Sequence, residues 1–310
     1  MTNDIQYLKR SEIDIVKWDA CIERSKGVIY GYSWWLDHMA SHWDALVLND
    51  YKAVMPLTWR KKYGFYYIYQ PFFTASLGVF AGKAPFADIV QFLQAIPAKF
   101  KFIDIDVSET HTLREAHPVA GLTVHKRLNV MLDLGKSRSA LTGAYSRLAK
   151  RSLEKANRHS IIVVRNDTPE DIITLYRKAY NTSHPGIRSK DYHSLTNCCN
   201  MAGEKNHLKT YTAHTPGGET IAFYIVLYDN NFVYSLVGGS TAKGKSMGAF
   251  YLLTDAAIQD HAGSGKTFRF EGSDIPGIAF FNRQFGPAEA FYMHIKMNRL
   301  PFPVNHFKKK

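Results

Sequence analysis

The chain has 310 residues, 45% of them hydrophobic and 14% aromatic, enough for two domains of ordinary size. Lysine and arginine number 39 against 27 acidic residues, and the +12 balance favours an anionic partner: a nucleotide cofactor, a tRNA, a phospholipid or a sugar phosphate. Cys21, Cys198 and Cys199 exclude a disulfide framework and lack zinc spacing. With no apolar leader and no membrane-length apolar run, a cytoplasmic protein is expected.

Ser11–Ile22 predicts a helix capped by Ser11, with Ile13, Val16 and Ile22 on one face. Tyr30–Trp43 holds Trp34, Trp35 and Trp43 with His38 and His42; rings at near-helical spacing read as core, with ligand contact the alternative. Asp44–Leu48, Asn49-Asp50 and Tyr51–Trp59 form a hairpin signature, and Arg60-Lys61-Lys62 a solvated strand end. Tyr63–Tyr69 predicts a strand broken by Gln70-Pro71, and Pro85–Ile96 a helix ended by Pro97. Phe100–Val107 alternates with period two, so Asp104 and Asp106 share a polar face, as a solvated pair or a metal-binding one. Leu122–Leu134 returns as a strand.

Gly135–Ala140 is polar and predicts the linker between a domain of residues 1–135 and one of residues 141–310. Leu141–Arg158 predicts one basic helix, with Arg147, Lys150, Arg151, Glu154 and Arg158 on one face and Leu141, Tyr145, Leu148 and Ala156 on another. The charged face is either solvated or an electropositive rim. Ile161–Val164 is a strand. Thr168 caps and Pro169 opens a helix with a buried stripe of Ile172, Ile173, Tyr176, Ala179 and Tyr180, ended by His184-Pro185-Gly186. Tyr192–Ala202 is a helix and Leu208–Ala213 a strand.

The most informative stretch is Glu219–Arg299. Thr220–Tyr228 and Phe232–Val237 flank the turn Asp229-Asn230-Asn231 as a hairpin. Gly238–Gly248 then predicts a glycine-rich basic loop opening a helix at Ala249–His261, with Phe250, Leu253, Ala257 and Ile258 inward. A strand over Lys266–Glu271, a short aromatic helix over Ile278–Phe285 and a strand over Glu289–Asn298 complete the stretch. A glycine loop between strand and helix is a ready anion site, because free N–H groups and the positive end of the helix dipole face the ligand.

Gly239–Ser246 matches G-x-x-x-x-G-K-[ST] letter for letter, which allows a P-loop ATP- or GTP-binding protein. Three features weigh against that reading. The motif lies late in the chain, comes after an antiparallel hairpin, and precedes no acidic metal-binding strand.

Lys150–Arg158 with Asp167–Tyr180, then Phe270-Glu271-Gly272-Ser273 and Gly277–Gly286, resemble the second domain of the Fem-type (FemAB-like) transferases and related GNAT-like N-acyltransferases. The resemblance covers the second half in its motifs and the first half in its layout. It implies an α/β (α+β) fold of two tandem GNAT-like domains, each a mixed, mostly antiparallel sheet flanked by helices. It implies an N-acyltransferase with acyl-CoA or acetyl-CoA as co-substrate and no metal. Lys243–Gly248 is a degenerate form of the GNAT pyrophosphate signature. By that resemblance Gly239, Lys243, Gly244, Lys245, Ser246 and Gly248 are candidates to cradle the pyrophosphate. Fem-type relatives carry a lysine in the closing helix where this chain has Asn282 and Arg283, and an Asp-Phe-Gly-Gly-like strand end where it has Phe-Glu-Gly-Ser. Both departures lean toward acyl-CoA over aminoacyl-tRNA as donor.

Acyl transfer to an amine needs a base, a polarised carbonyl and an acid for the leaving thiolate. Glu271 is the candidate base, its alternative being a partner of Arg269 or Arg283. Tyr234 or Tyr292 is the candidate acid. Lys150, Arg151 and Arg283 are candidates to bind an anionic small-molecule, lipid or sugar-phosphate acceptor. A tRNA partner, and a binding protein of the same fold without catalysis, remain open.

Overall fold

The computed structural model describes residues 4–25, 27–82, 88–108, 119, 121–165, 167–180 and 186–305. The expected chain break at His184-Pro185 and the start of the Pro85 helix lie outside them. Contacts divide the chain into two compact units, residues 1–127 with 291–310, and residues 128–290.

The first unit contains β1 (Ile5–Lys9), α1 (Ile15–Arg24), α2 (Ser33–Met39), β2 (Trp43–Leu48), β3 (Ala53–Lys62), β4 (Phe65–Tyr69), β5 (Phe80–Ala81), α3 (Ile89–Ala95) and β6 (Phe100–Val107). The strand β7 (Leu122–Asp133) begins in it and ends in the second unit. The first unit's sheet runs β1-β2-β3-β4-β6 and takes the closing strand (Ala288–Asn298) beside β6, as an antiparallel partner. Only the β4–β6 pairing in that order is parallel. Alternate residues of its strands meet α3 in a core that includes Leu46, Met55, Ile68, Phe92, Phe100, Ile103 and Ile295.

The second unit contains α4 (Arg138–Gly143), α5 (Arg147–Arg158), β8 (Ile162–Arg165), α6 (Pro169–Tyr180), α7 (Ser189–Glu204), β9 (Leu208–His214), β10 (Thr220–Tyr228), β11 (Phe232–Ser240), α8 (Ala242–Met247), α9 (Ala249–Asp260), β12 (Thr267–Arg269) and α10 (Pro276–Arg283). The closing strand, β13 (Ala288–Asn298), passes from this unit to the first. The sheet order is β7-β12-β11-β10-β9-β8, again with a single parallel pair, β11–β12. Consecutive glycines of β11 show which helices cover it. A Cβ on Gly238 would meet Phe250 of α9, and one on Gly239 would meet Tyr180 of α6. Successive strand residues point to opposite faces, so α9 and α6 cover opposite faces of the sheet.

The structure corrects several boundaries. The contact division falls inside β7 and β13, two long strands. Met131–Asp133 pairs with β12, while Met293–Asn298 pairs with β6. The basic helix breaks in two. Ser146 caps α5 by accepting from Ala149 N–H, its own N–H bonds the Gln284 carbonyl at 2.8 Å, and buried Tyr145 reaches Asp255 at 2.8 Å. Asp14, not Ser11, caps the first helix, accepting from Lys17 N–H at 3.1 Å. Asp106 is not solvated: it accepts from Arg127 at 3.1 Å and His294 at 3.0 Å, while Asp104 stays half-exposed, 3.3 Å from His294.

Candidate functional site

The parallel pairing of β11 with β12 matches Phe232, Val233 and Tyr234 with Thr267, Phe268 and Arg269, then stops. Past that point Phe270 turns its N–H to the Val130 carbonyl (3.2 Å), on the side of β7. β11 runs on to Ser240 with β10 as its partner; among the described residues no strand pairs its other edge past Tyr234, and the Tyr180 phenol takes the Ser240 N–H. At Ile225/Val226 the β10 register shifts, and Leu236 is the extra residue of a bulge, outside the ladder. The splayed strands open a cavity of about 510 Å³. Ser235–Ser240 form one wall, Phe270–Gly272 another, and Gly244, Lys245, Gly248 and the first turn of α9 close one end.

The predicted glycine loop is not a loop. Gly239 and Ser240 finish β11, and Thr241 caps α8 by accepting from Gly244 N–H at 3.1 Å. Gly244 sits so tightly on β10 that a Cβ would lie 2.0 Å from the Ile221 carbonyl oxygen. Gly248, at φ +76°, passes against the Ser152 carbonyl of α5, where a Cβ would lie 2.5 Å away. Those two glycines are required by close packing and a left-handed turn. Of the predicted cradle, Gly239, Gly244, Lys245 and Gly248 line the cavity. Lys243 instead pairs with Glu219, and Ser246 donates its hydroxyl to the Lys243 carbonyl at 2.8 Å. Gly248 leaves α9 without a side-chain cap.

Glu271 lines the cavity and pairs with Arg269, whose Nε lies 2.9 Å from its carboxylate. Its backbone is left-handed, φ +51°, and next to it stands Gly272 at +62°. A carboxylate residue held in that region costs free energy unless its surroundings fix it, a pattern common at working sites. Asn282, 4% exposed, supplies that support from α10. Its amide donates to the Ser273 hydroxyl at 3.1 Å and toward the Glu271 carbonyl at 3.4 Å. The two closing motifs of the sequence are thus one hydrogen-bonded unit.

Other predicted residues lie elsewhere. Tyr234 is fully buried and donates its hydroxyl to Asp229 at 2.6 Å, away from the cavity lining. Tyr292 belongs to the first unit and is not part of the lining. Arg283 is held by Glu289 at 2.7 Å. Lys150 and Arg151 are exposed on α5, Lys150 donating to the Gly143 carbonyl at 2.8 Å. The cavity also takes residues that sequence pattern assigns to the core. Tyr176 and Tyr180 of α6 line it, with burial pushing the Tyr176 phenol up to about 12 and raising Tyr180. Ser240 lines it with a buried hydroxyl that has no partner among the described residues. No sequence signal marks Ser240 beyond its place at the end of a strand. Among the described residues no cluster of His, Cys, Asp and Glu could hold a metal, and no helix is long and apolar enough to cross a membrane.

No family model matches the sequence, and no curated protein matches it. Among solved structures the chain is similar to FemX, at 12% identity over 98% of this chain and 100% of that one, with a TM-score of 0.64. It is similar to a tandem GNAT protein from the clavulanic acid biosynthesis pathway, at 11% identity over 96% and 99% of the two chains and a TM-score of 0.54. For L-PGS from Bacillus licheniformis the figures are 14%, 95%, 95% and 0.52. At these identities the likeness is one of fold: the chain has the tandem GNAT-like fold that FemX shares.

Proposed function

We propose that the protein is an acyltransferase that holds an acyl-CoA thioester in the second unit's cavity and passes the acyl group to an amine of an anionic acceptor. The stretch of β11 past Tyr234 that no strand covers, lining the cavity, carries this reading. An extended ligand with amide groups, such as a pantetheine arm, adds to such an edge as a further strand. The uncapped first turn of α9 and Lys245 suit a pyrophosphate. The unpartnered Ser240 hydroxyl supplies a polar contact that the protein itself does not use. The donor supplies an activated carbonyl. In this reading backbone N–H groups at the Leu236 bulge polarise it. Glu271, through water, accepts the proton of the attacking amine as the C–S bond breaks. Arg147, Lys150, Arg151 and Arg158 on α5, next to the Ser152–Gly248 contact, give the acceptor an electropositive approach. The likeness in fold to a structure described as a tandem GNAT protein without AcCoA agrees with this donor.

Calorimetric titration with acetyl-CoA and longer acyl-CoA thioesters tests the donor. Binding is expected, with no Mg-ATP hydrolysis. Gly239→Val, which forces Tyr180 aside and adds bulk to the wall, is expected to remove it. Absence of binding to any CoA thioester, or binding indifferent to Gly239→Val, overturns the reading. Native mass spectrometry that finds co-purified aminoacyl-tRNA and no CoA would replace the donor.

A further inference from the structure

Within the first unit, a second cavity of about 620 Å³ opens where the end of β1, the end of α2 and the starts of β2 and β4 meet Lys99. We propose that it binds a phosphate monoester.

Hydrogen-bond partners set the kind of ligand this wall accepts. Asp37 accepts from Arg10 through Nε at 2.8 Å and Nη2 at 2.7 Å, and from the Trp43 indole at 2.8 Å. Asp44 accepts from the Arg10 backbone N–H at 3.2 Å and from the Tyr7 hydroxyl. Tyr7 in turn accepts from Lys99 at 2.5 Å. Burial, then the bond to Asp44, pushes the Tyr7 phenol well above its ordinary value, so it stays a donor. Both carboxylates are therefore used internally. What the wall still offers is donors: the third nitrogen of Arg10, the ammonium groups of Lys9 and Lys99, and the exposed His42 and Ser11. Every carboxylate oxygen of Asp37 and Asp44 already accepts a hydrogen bond, which disfavours a metal ion or an ammonium ligand. An acceptor-rich dianion would find several donors, and charge-assisted bonds of this kind are the strong ones.

The cations are also fixed in advance. Arg10 lies 5.1 Å from the Trp43 ring centre and Lys99 4.5 Å from that of Tyr7. Their side chains remain 37% and 40% exposed, so each keeps a face for a ligand. Little ordering is left for binding to do. His42 stacks flat on Trp59, with centroids 4.5 Å apart and planes at 20°, a plate for a ring in the ester's organic part. The volume suits a sugar phosphate or a nucleoside monophosphate.

All five tryptophans belong to the first unit, and Trp43 and Trp59 stand in this wall, so intrinsic fluorescence reads the site directly. The full chain is titrated with glucose 6-phosphate, AMP and inorganic phosphate, with glucose and adenosine as controls. A saturable change is expected for at least one monoester and none for its neutral parent; the tighter of the two identifies the organic part. Lys9→Gln and His42→Ala, both exposed and outside the Asp37 and Asp44 networks, are each expected to weaken binding roughly fivefold. Arg10→Gln with Lys99→Gln is expected to abolish it. No saturable response to any monoester at ~10 mM, well above a millimolar dissociation constant, overturns the proposal. So does an equal response to glucose or adenosine, or an affinity unchanged by Lys9→Gln and His42→Ala.

Discussion

Each unit contains one parallel strand pair, and the two pairs are treated differently. In the second unit the wedge beyond β11–β12 is open, and a cavity occupies it. In the first unit the wedge beyond β4–β6 is filled by the chain itself. Leu77 bonds across to the Asp106 carbonyl at 2.9 Å and accepts from Ser108 N–H at 3.0 Å, completing a parallel bridge with Val107. The Gln70 side chain accepts from the Asp106 N–H at 3.1 Å and donates to the Thr74 carbonyl at 2.7 Å. A backbone edge in a protein interior must find partners. The first unit supplies them by hydrogen bonds from its own chain; in the second, under the proposed function, a ligand supplies them. One architecture thus yields a closed scaffold and an open site. The choice lies in the segment that leaves the first strand of each parallel pair, which folds back into the wedge in one unit and away from it in the other.

The largest expected effect breaks the open site. Glu271→Gln should lower kcat by about 10²–10⁴, the range for loss of a general base, with donor affinity unchanged in folded protein. Loss of stability alone, with kcat per folded molecule retained, would make Glu271 only the counter-ion of Arg269. Gly244→Ala attacks the seat of the cavity's floor. Its Cβ would lie 2.0 Å from a backbone oxygen that cannot move cheaply, so a loss of about 3 kcal/mol in chemical unfolding is expected.

A third test separates the units by pH. His261 of the second unit is buried, and burial first, then Lys209 and Lys266, lowers its pKa to about 4. The unfolded chain binds this proton near pH 6.5 and the folded chain only near 4. Stability is therefore full above about 6.5 and falls as the pH drops to about 4, by roughly 2 kcal/mol after solvent screening. Amide exchange in the second unit should track this fall, and His261→Phe should flatten it. The smallest effect concerns the filled wedge. Gln70→Ala should cost about 1 kcal/mol, seen in tryptophan fluorescence, because the Asp106 N–H loses its acceptor. It should create no second acyl-CoA site, and new stoichiometry in the calorimeter would contradict the comparison.

Local patterns were legible and nonlocal ones were not. The β10–β11 hairpin, the α6 start at Thr168-Pro169 and the aromatic core around Trp35 arise from periodicity and caps. The motif at Gly239–Ser246 misled because its letters carry two physics. A glycine that frees backbone for a phosphate and a glycine pressed against the Ile221 carbonyl are spelled alike. Ser146 was a readable cap hidden in a continuous basic pattern. Ser240, Tyr180 and Asn282 line the cavity only through the splay of β11 from β12. That splay depends on where Phe270 bonds, a contact with Val130 far away in sequence. The filling of the first wedge by Gln70–Leu77 likewise has no local signature.

The path of β13 sets an order of assembly on the ribosome. The second unit is one unbroken segment, residues 128–290, and every strand of its sheet has emerged once that segment is made. The first unit begins translation earlier but is completed later. The β6 edge from Phe102 to Val107 waits for Met293–Asn298, which emerges only after the whole second unit. The nascent chain therefore carries an unpaired strand edge through the synthesis of the whole second unit, an edge open to pairing with other chains. Of the two units, the one whose strands emerge earlier is the one completed later.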